Sequence, residues 1–120
     1  MKKEIFVSRG CVNRLLLGLD AYEVLPKRCN LYRIGKVYPL CGISDTYVKV
    51  LSSELINARS INDAIWCDMG VDASKREDYV VSRCGKGAWL MSLDVCLVRL
   101  SLVDGNARGT AFVLSLSFII

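Results

Sequence analysis

Residues 82–87, SRCGKG, are the stretch of this chain nearest to a phosphate-binding loop. Glycine amides flanked by Arg83 and Lys86 make an anion cradle when backbone N–H groups and cations converge on one oxyanion. The glycine spacing and the Lys-Ser/Thr ending of a nucleoside-triphosphate loop are absent, so the simpler expectation is a tight turn between two strands. Cys84 stands between the two cations, a setting that favours the thiolate and so a reactive sulfur. A plain turn cysteine is the commoner outcome.

A second basic stretch covers residues 27–36. Lys27, Arg28, Arg33 and Lys36 interleave there with Tyr32 and, just beyond, Tyr38. Cations that track phosphates beside rings that stack on bases are a format for single-stranded nucleic acid. The same pattern belongs to any amphipathic edge strand, where charged side chains prevent self-association. Asp63, Asp68 and Asp72 are the only acidic set with metal or acid–base potential. A five-residue step from Asp63 to Asp68 does not converge on one helix face, so a solvated surface is expected.

The chain has no histidine. That removes Ser-His-Asp and Cys-His nucleophiles and every histidine-ligated metal centre built from this chain alone. Catalysis would rest on carboxylates, Lys, Tyr or Cys. Six cysteines, Cys11, Cys29, Cys41, Cys67, Cys84 and Cys96, suggest a disulfide framework by number. No pair has the two-residue spacing of zinc or redox motifs. The opening MKKEIFVSRG has too short an apolar run for a secretory signal. A cytoplasmic, reducing compartment with free thiols follows as the expectation, without metal or cofactor.

The 120 residues make one ordinary domain, with a 52% hydrophobic fraction, 23% charged residues and a net charge of +4. The basic residues gather in the first third, whereas the stretch from Asp63 to Asp78 is acidic. This balance is mildly basic and fits a mixed surface better than a dedicated nucleic-acid protein.

These residues need elements to position them. KEIFVS, residues 3–8, reads as a short strand. Cys11, Val12, Leu15, Leu16, Leu19 and Tyr22 share a helical stripe that Gly18 weakens and Pro26 ends. Two short extended pieces follow around Gly35, with Pro39 at the end of an edge strand. In residues 44–60, Val48, Leu51 and Leu55 suit a helix, although Tyr47, Val48 and Val50 favour a strand; the length argues for helix. Residues 60–70 read as a helix capped at Ser60, with Ile61, Ala64, Ile65 and Met69 inward, Trp66 and Cys67 beside the stripe, and Gly70 as its stop. DYVVSR, residues 78–83, reads as a strand.

The clearest pattern is the last one. Cys96, Val98, Leu100 and Leu102 alternate with Val95, Leu97, Arg99 and Ser101. After the loop DGNARG, Phe112, Leu114, Leu116, Phe118 and Ile120 alternate in the same way. A β-hairpin over about 93–104 and 110–120 is expected, with Leu102 facing Phe112, Leu100 facing Leu114, Val98 facing Leu116 and Cys96 facing Phe118. About eleven residues after Gly109 fall short of the roughly twenty a membrane helix needs. Val95 and Leu97 make the second face half apolar, so a helix of this chain or a partner, such as a second copy in a homodimer, should cover it.

The expected architecture is therefore α+β: an antiparallel sheet with a C-terminal β-hairpin, packed against two or three helices. The expected function is a small non-enzymatic binding or regulatory protein acting through a protein surface, of the viral or bacterial inhibitor kind. The first alternative is nucleic-acid or nucleotide binding through residues 27–36 and 82–87. The second is a small enzyme built on Cys or carboxylates.

Overall fold

The computed structural model describes residues 4–27, 32–91 and 93–103. Helix α1 (Arg9–Leu16) is followed by strands β1 (Ala21–Leu25), β2 (Val37–Pro39) and β3 (Tyr47–Asn57). Helices α2 (Asp63–Met69), α3 (Arg76–Cys84) and α4 (Lys86–Leu90) lead to β4 (Asp94–Leu102). The strands form one antiparallel sheet in the order β1-β4-β3-β2. The chain is thus α+β, with its sheet packed against three helices of seven residues or more and the short α4.

Strand β4 forms where its alternation places it. Cys96, Val98 and Leu100 are buried on one face, and Val95 and Leu97 on the other. The first face packs against α1, Ile5 and the Tyr32–Leu40 segment, through Cys11, Leu15, Val48 and Val50. The second packs against Trp66, Met69, Val80 and Ala88 from the three later helices. Helices of this chain therefore cover Val95 and Leu97.

The expected hairpin partner at 110–120 lies outside the described residues. The pairing proposed for β4 is nevertheless corrected. Cys96, Val98 and Leu100 pair with Leu25, Glu23 and Ala21 on one side, and with Leu55, Ser53 and Val50 on the other. A strand has two hydrogen-bonding edges, and over these residues both are taken.

Four local expectations also change. The first helix ends at Leu16, because Gly18 takes a φ of 82°, and the chain then runs extended as β1 instead of remaining helical to Pro26. Among the described residues of the strand expected at 3–8, Ile5 alone makes a bridge: its N–H donates to Pro39 O at 3.0 Å and its carbonyl accepts from Cys41 N–H at 2.9 Å. Residues 47–57 are strand, not helix. A bulge between Val50 and Ser52 shifts the register, so Val48 and Val50 share a face with Ser53 and Leu55. That shift breaks the period-two pattern a straight strand would show.

Residues 76–84 are helix, not strand. Val80 is buried, Arg76, Tyr79, Arg83 and Cys84 are half-buried, and Glu77 and Asp78 occupy the first turn, where a helix favours acids. In α2 the cap is Asn62, whose side chain accepts from Ile65 N–H, and not Ser60. Trp66 points into the core and Ala64 outward, which rotates the expected stripe. Pro39 closes the edge strand β2 as anticipated.

Candidate functional site

Glu23 is the one buried charged residue among the described core positions. Its partners come from three elements. Oε2 accepts from Ser8 N–H at 2.7 Å, just before α1, and Oε1 accepts from Val24 N–H at 3.0 Å. Tyr79 of α3 donates its hydroxyl to Oε1, and the Arg83 Nε lies 3.3 Å from that oxygen. Arg83 Nε also donates to Val24 O at 2.8 Å, and its Nη2 to Phe6 O.

This arrangement closes an edge. β1 is an outer strand, and the N–H and C=O of Val24 are held by Glu23 and Arg83 side chains. Two side chains occupy the backbone groups that a further strand would use. On the opposite border, the Ile5 backbone takes Pro39 O and Cys41 N–H as an isolated parallel bridge. The Glu23–Arg83 pair thus fastens α1, β1 and α3 to one another.

The proton donors around the carboxylate are held firmly. Burial, followed by the Glu23 charge, pushes the Cys11 thiol up to about 12. Burial first, then the charge and hydrogen bond of Glu23, raise the Tyr79 phenol as well. Neither group is poised to ionise at neutral pH. Ser8 Oγ accepts from Cys11 N–H as the α1 cap, and Ser82 Oγ donates to Tyr79 O. A measurable consequence follows for the thiols. Exposed Cys41 and Cys67 will react with a neutral-pH thiol reagent in the native state, whereas buried Cys11 and Cys96 will react only on unfolding. Mass mapping of the labelled cysteines checks this.

The residues singled out for anion binding are distributed as follows. Lys27, Arg33 and Lys36 are exposed. Arg28 lies outside the described residues. Residues 82–87 are not a loop between strands: Ser82–Cys84 end α3 and Lys86 begins α4. Gly85 joins them at φ 93° and ψ 162°, a conformation essentially reserved for glycine. Lys86 is exposed, but the Arg83 side chain is 10% exposed and paired with Glu23. The structure does bring the two stretches to one cleft of about 280 Å³, lined by Glu4, Phe6, Pro26, Tyr32 and Arg83 among others. Of the five candidates among the described residues, only Arg83 lines it.

Tyr32 and Tyr38, the expected stacking rings, pack edge-to-face at 4.8 Å on the buried face of the sheet. Arg33 N–H donates to the Tyr38 hydroxyl at 3.0 Å. Asp63 is held by Arg76 at 2.9 Å, which fits a surface ion pair. No helix among the described residues is long and apolar enough to cross a membrane.

Two surfaces were missed in the sequence. One is the turn from α4 into β4, where Leu90, Met91 and Leu93 are 64%, 71% and 52% exposed. Leu93 Cδ1 and Met91 Sδ lie 3.2 and 3.9 Å from the position a Gly87 Cβ would take, so both fold back onto α4. Beneath them Trp89 is half-buried, with the Arg59 guanidinium 5.1 Å from its ring centre. The signal was present as LMSL, which reads as strand when the preceding helix goes unseen. The other is the part of the helix-side sheet face where Tyr47, Lys49 and Arg99 are exposed.

No protein-family model matches this chain, and no curated protein or solved structure does so either.

Proposed function

We propose that this protein is a non-enzymatic binding module that acts through a protein surface, and that the surface is the Leu90–Leu93 turn. The carrying observation is three exposed apolar side chains within four residues, set on a helix anchored by Trp89. Exposed Lys86 and Asp94 flank these side chains along the chain and Arg59 lies over the Trp89 ring, a mixture of apolar and charged groups in keeping with an interface. Methionine at such a spot adapts to a partner's contours. The buried polar cluster supports the same reading, since its groups are spent on holding elements together.

The test is comparative capture from the source cells, with wild-type, Met91→Lys and Leu93→Asp baits of matched thermal stability. A partner retained by the wild-type protein and weakened about tenfold or more in both variants supports the proposal. A partner set unchanged by both substitutions would overturn it.

A further inference from the structure

On the helix-side face of the sheet, Val95 and Leu97 are buried under α2–α4 and Tyr22 is half-buried beside them, whereas Tyr47, Lys49 and Arg99, in the rows beyond, are exposed. The pairing fixes which side chains share that area. Tyr22 pairs with Arg99, Lys49 pairs with both Ser101 and Val37, and Tyr47 follows Lys49 on the same side of β3. Arg99 and Ser101 continue the side of β4 that Val95 and Leu97 define.

We propose that this half-face binds single-stranded nucleic acid. Tyr47 is 40% exposed and offers a ring for a base. The Arg99 guanidinium lies 6.0 Å over the Tyr22 ring and offers a second flat, cationic plane. Lys49, exposed between them on the central rows, supplies charge for a phosphate. Tyr47 and Tyr22 stand about 17 Å apart, from two strand spacings of about 4.8 Å and four residues of about 3.4 Å. A short run of nucleotides bridges that span. Asp20 holds Arg99 through one guanidinium nitrogen at 2.7 Å. That pair is open to water, so a phosphate displaces it at small cost.

Charge complementarity selects this ligand class. The area joins cations to aromatic faces, and single strands carry both phosphates and unstacked bases, whereas a duplex hides its base faces. The face is distinct from the Leu90–Leu93 turn, and neither reading depends on the other.

Fluorescence anisotropy of labelled 12-residue oligo(U) and oligo(dT), a matched duplex and polyaspartate provides the test. Either single strand should bind, with log affinity falling against log salt at a slope of about −1.4, for two phosphates at about 0.7 each. Preference between the two single strands identifies RNA or DNA as the ligand. Tyr47→Ala and Lys49→Glu should each weaken binding about tenfold or more, while Lys75→Glu, on the helical side, leaves it unchanged. Circular dichroism confirms that each variant is folded. Absence of binding by both single strands, equal binding of duplex or polyaspartate, or equal loss in Lys75→Glu would each overturn the proposal.

Discussion

Arg83→Leu will lower the folding stability of this protein by about 3–5 kcal/mol, the range for removing one partner of a buried ion pair. Glu23 is fully buried, and the substitution leaves its carboxylate without a cation. It also strips Val24 O and Phe6 O of a donor. Ser8 N–H, Val24 N–H and the Tyr79 hydroxyl remain, so the carboxylate keeps neutral hydrogen bonds and loses its counter-charge. Urea denaturation followed by circular dichroism measures the loss. The double variant Glu23→Leu/Arg83→Leu should recover part of it, because the stranded charge is gone. A loss below about 1 kcal/mol for the single variant would show that the pair does not carry this edge.

Trp66→Ala should cost a similar amount, about 3–5 kcal/mol, by a different route. Trp66 is 1% exposed and heads the fully buried side chains of the molecule. It fills the space between α2 and the sheet, meets the Tyr79 ring edge-on at 6.2 Å, and lies under the Arg76 guanidinium at 5.5 Å. Alanine leaves a cavity that the short α2 cannot collapse into while Gly70 and Asn62 fix its ends. Trp66→Phe retains part of the volume and should lose clearly less. Equal losses for Ala and Phe would mean that packing volume is not what Trp66 supplies.

The two substitutions probe what the sequence made legible and what it concealed. β4 was readable because its apolar run is continuous from Val95 to Val98, as burial of both faces requires. α2 was readable because a capping residue and Gly70 bracket it. β3 was concealed by its own bulge, which makes Val48, Leu51 and Leu55 mimic a helical step. α3 is concealed by Tyr79, Val80 and Val81, whose β-favouring side chains mask the acidic first turn. The pairing of β4 was misassigned because two apolar alternating segments joined by a glycine-rich loop look self-sufficient. Nothing local to Asp94–Leu102 announces that β1 and β3 are its neighbours.

The candidate site divides in the same way. Arg83 is expected from the sequence to face an external anion, and the structure pairs it with Glu23, far upstream. Only the tertiary fold brings the two together. Tyr32 and Tyr38 drew attention through their basic neighbours, yet their rings belong to the interior. Tyr47 and Lys49, which take the open face, were hidden inside a segment read as helix. The Leu90–Leu93 turn was visible as apolar letters, and its exposure became apparent only once α4 was in place.

The order β1-β4-β3-β2 has a consequence for biosynthesis. β4 is the last of the four strands to leave the ribosome, yet it is the wedge that joins β1 to β3. Until it emerges, α1 and α3 can hold β1, but among the described strands none links β1 to β3. Sheet assembly is therefore dominated by pairings distant along the chain, which slows it.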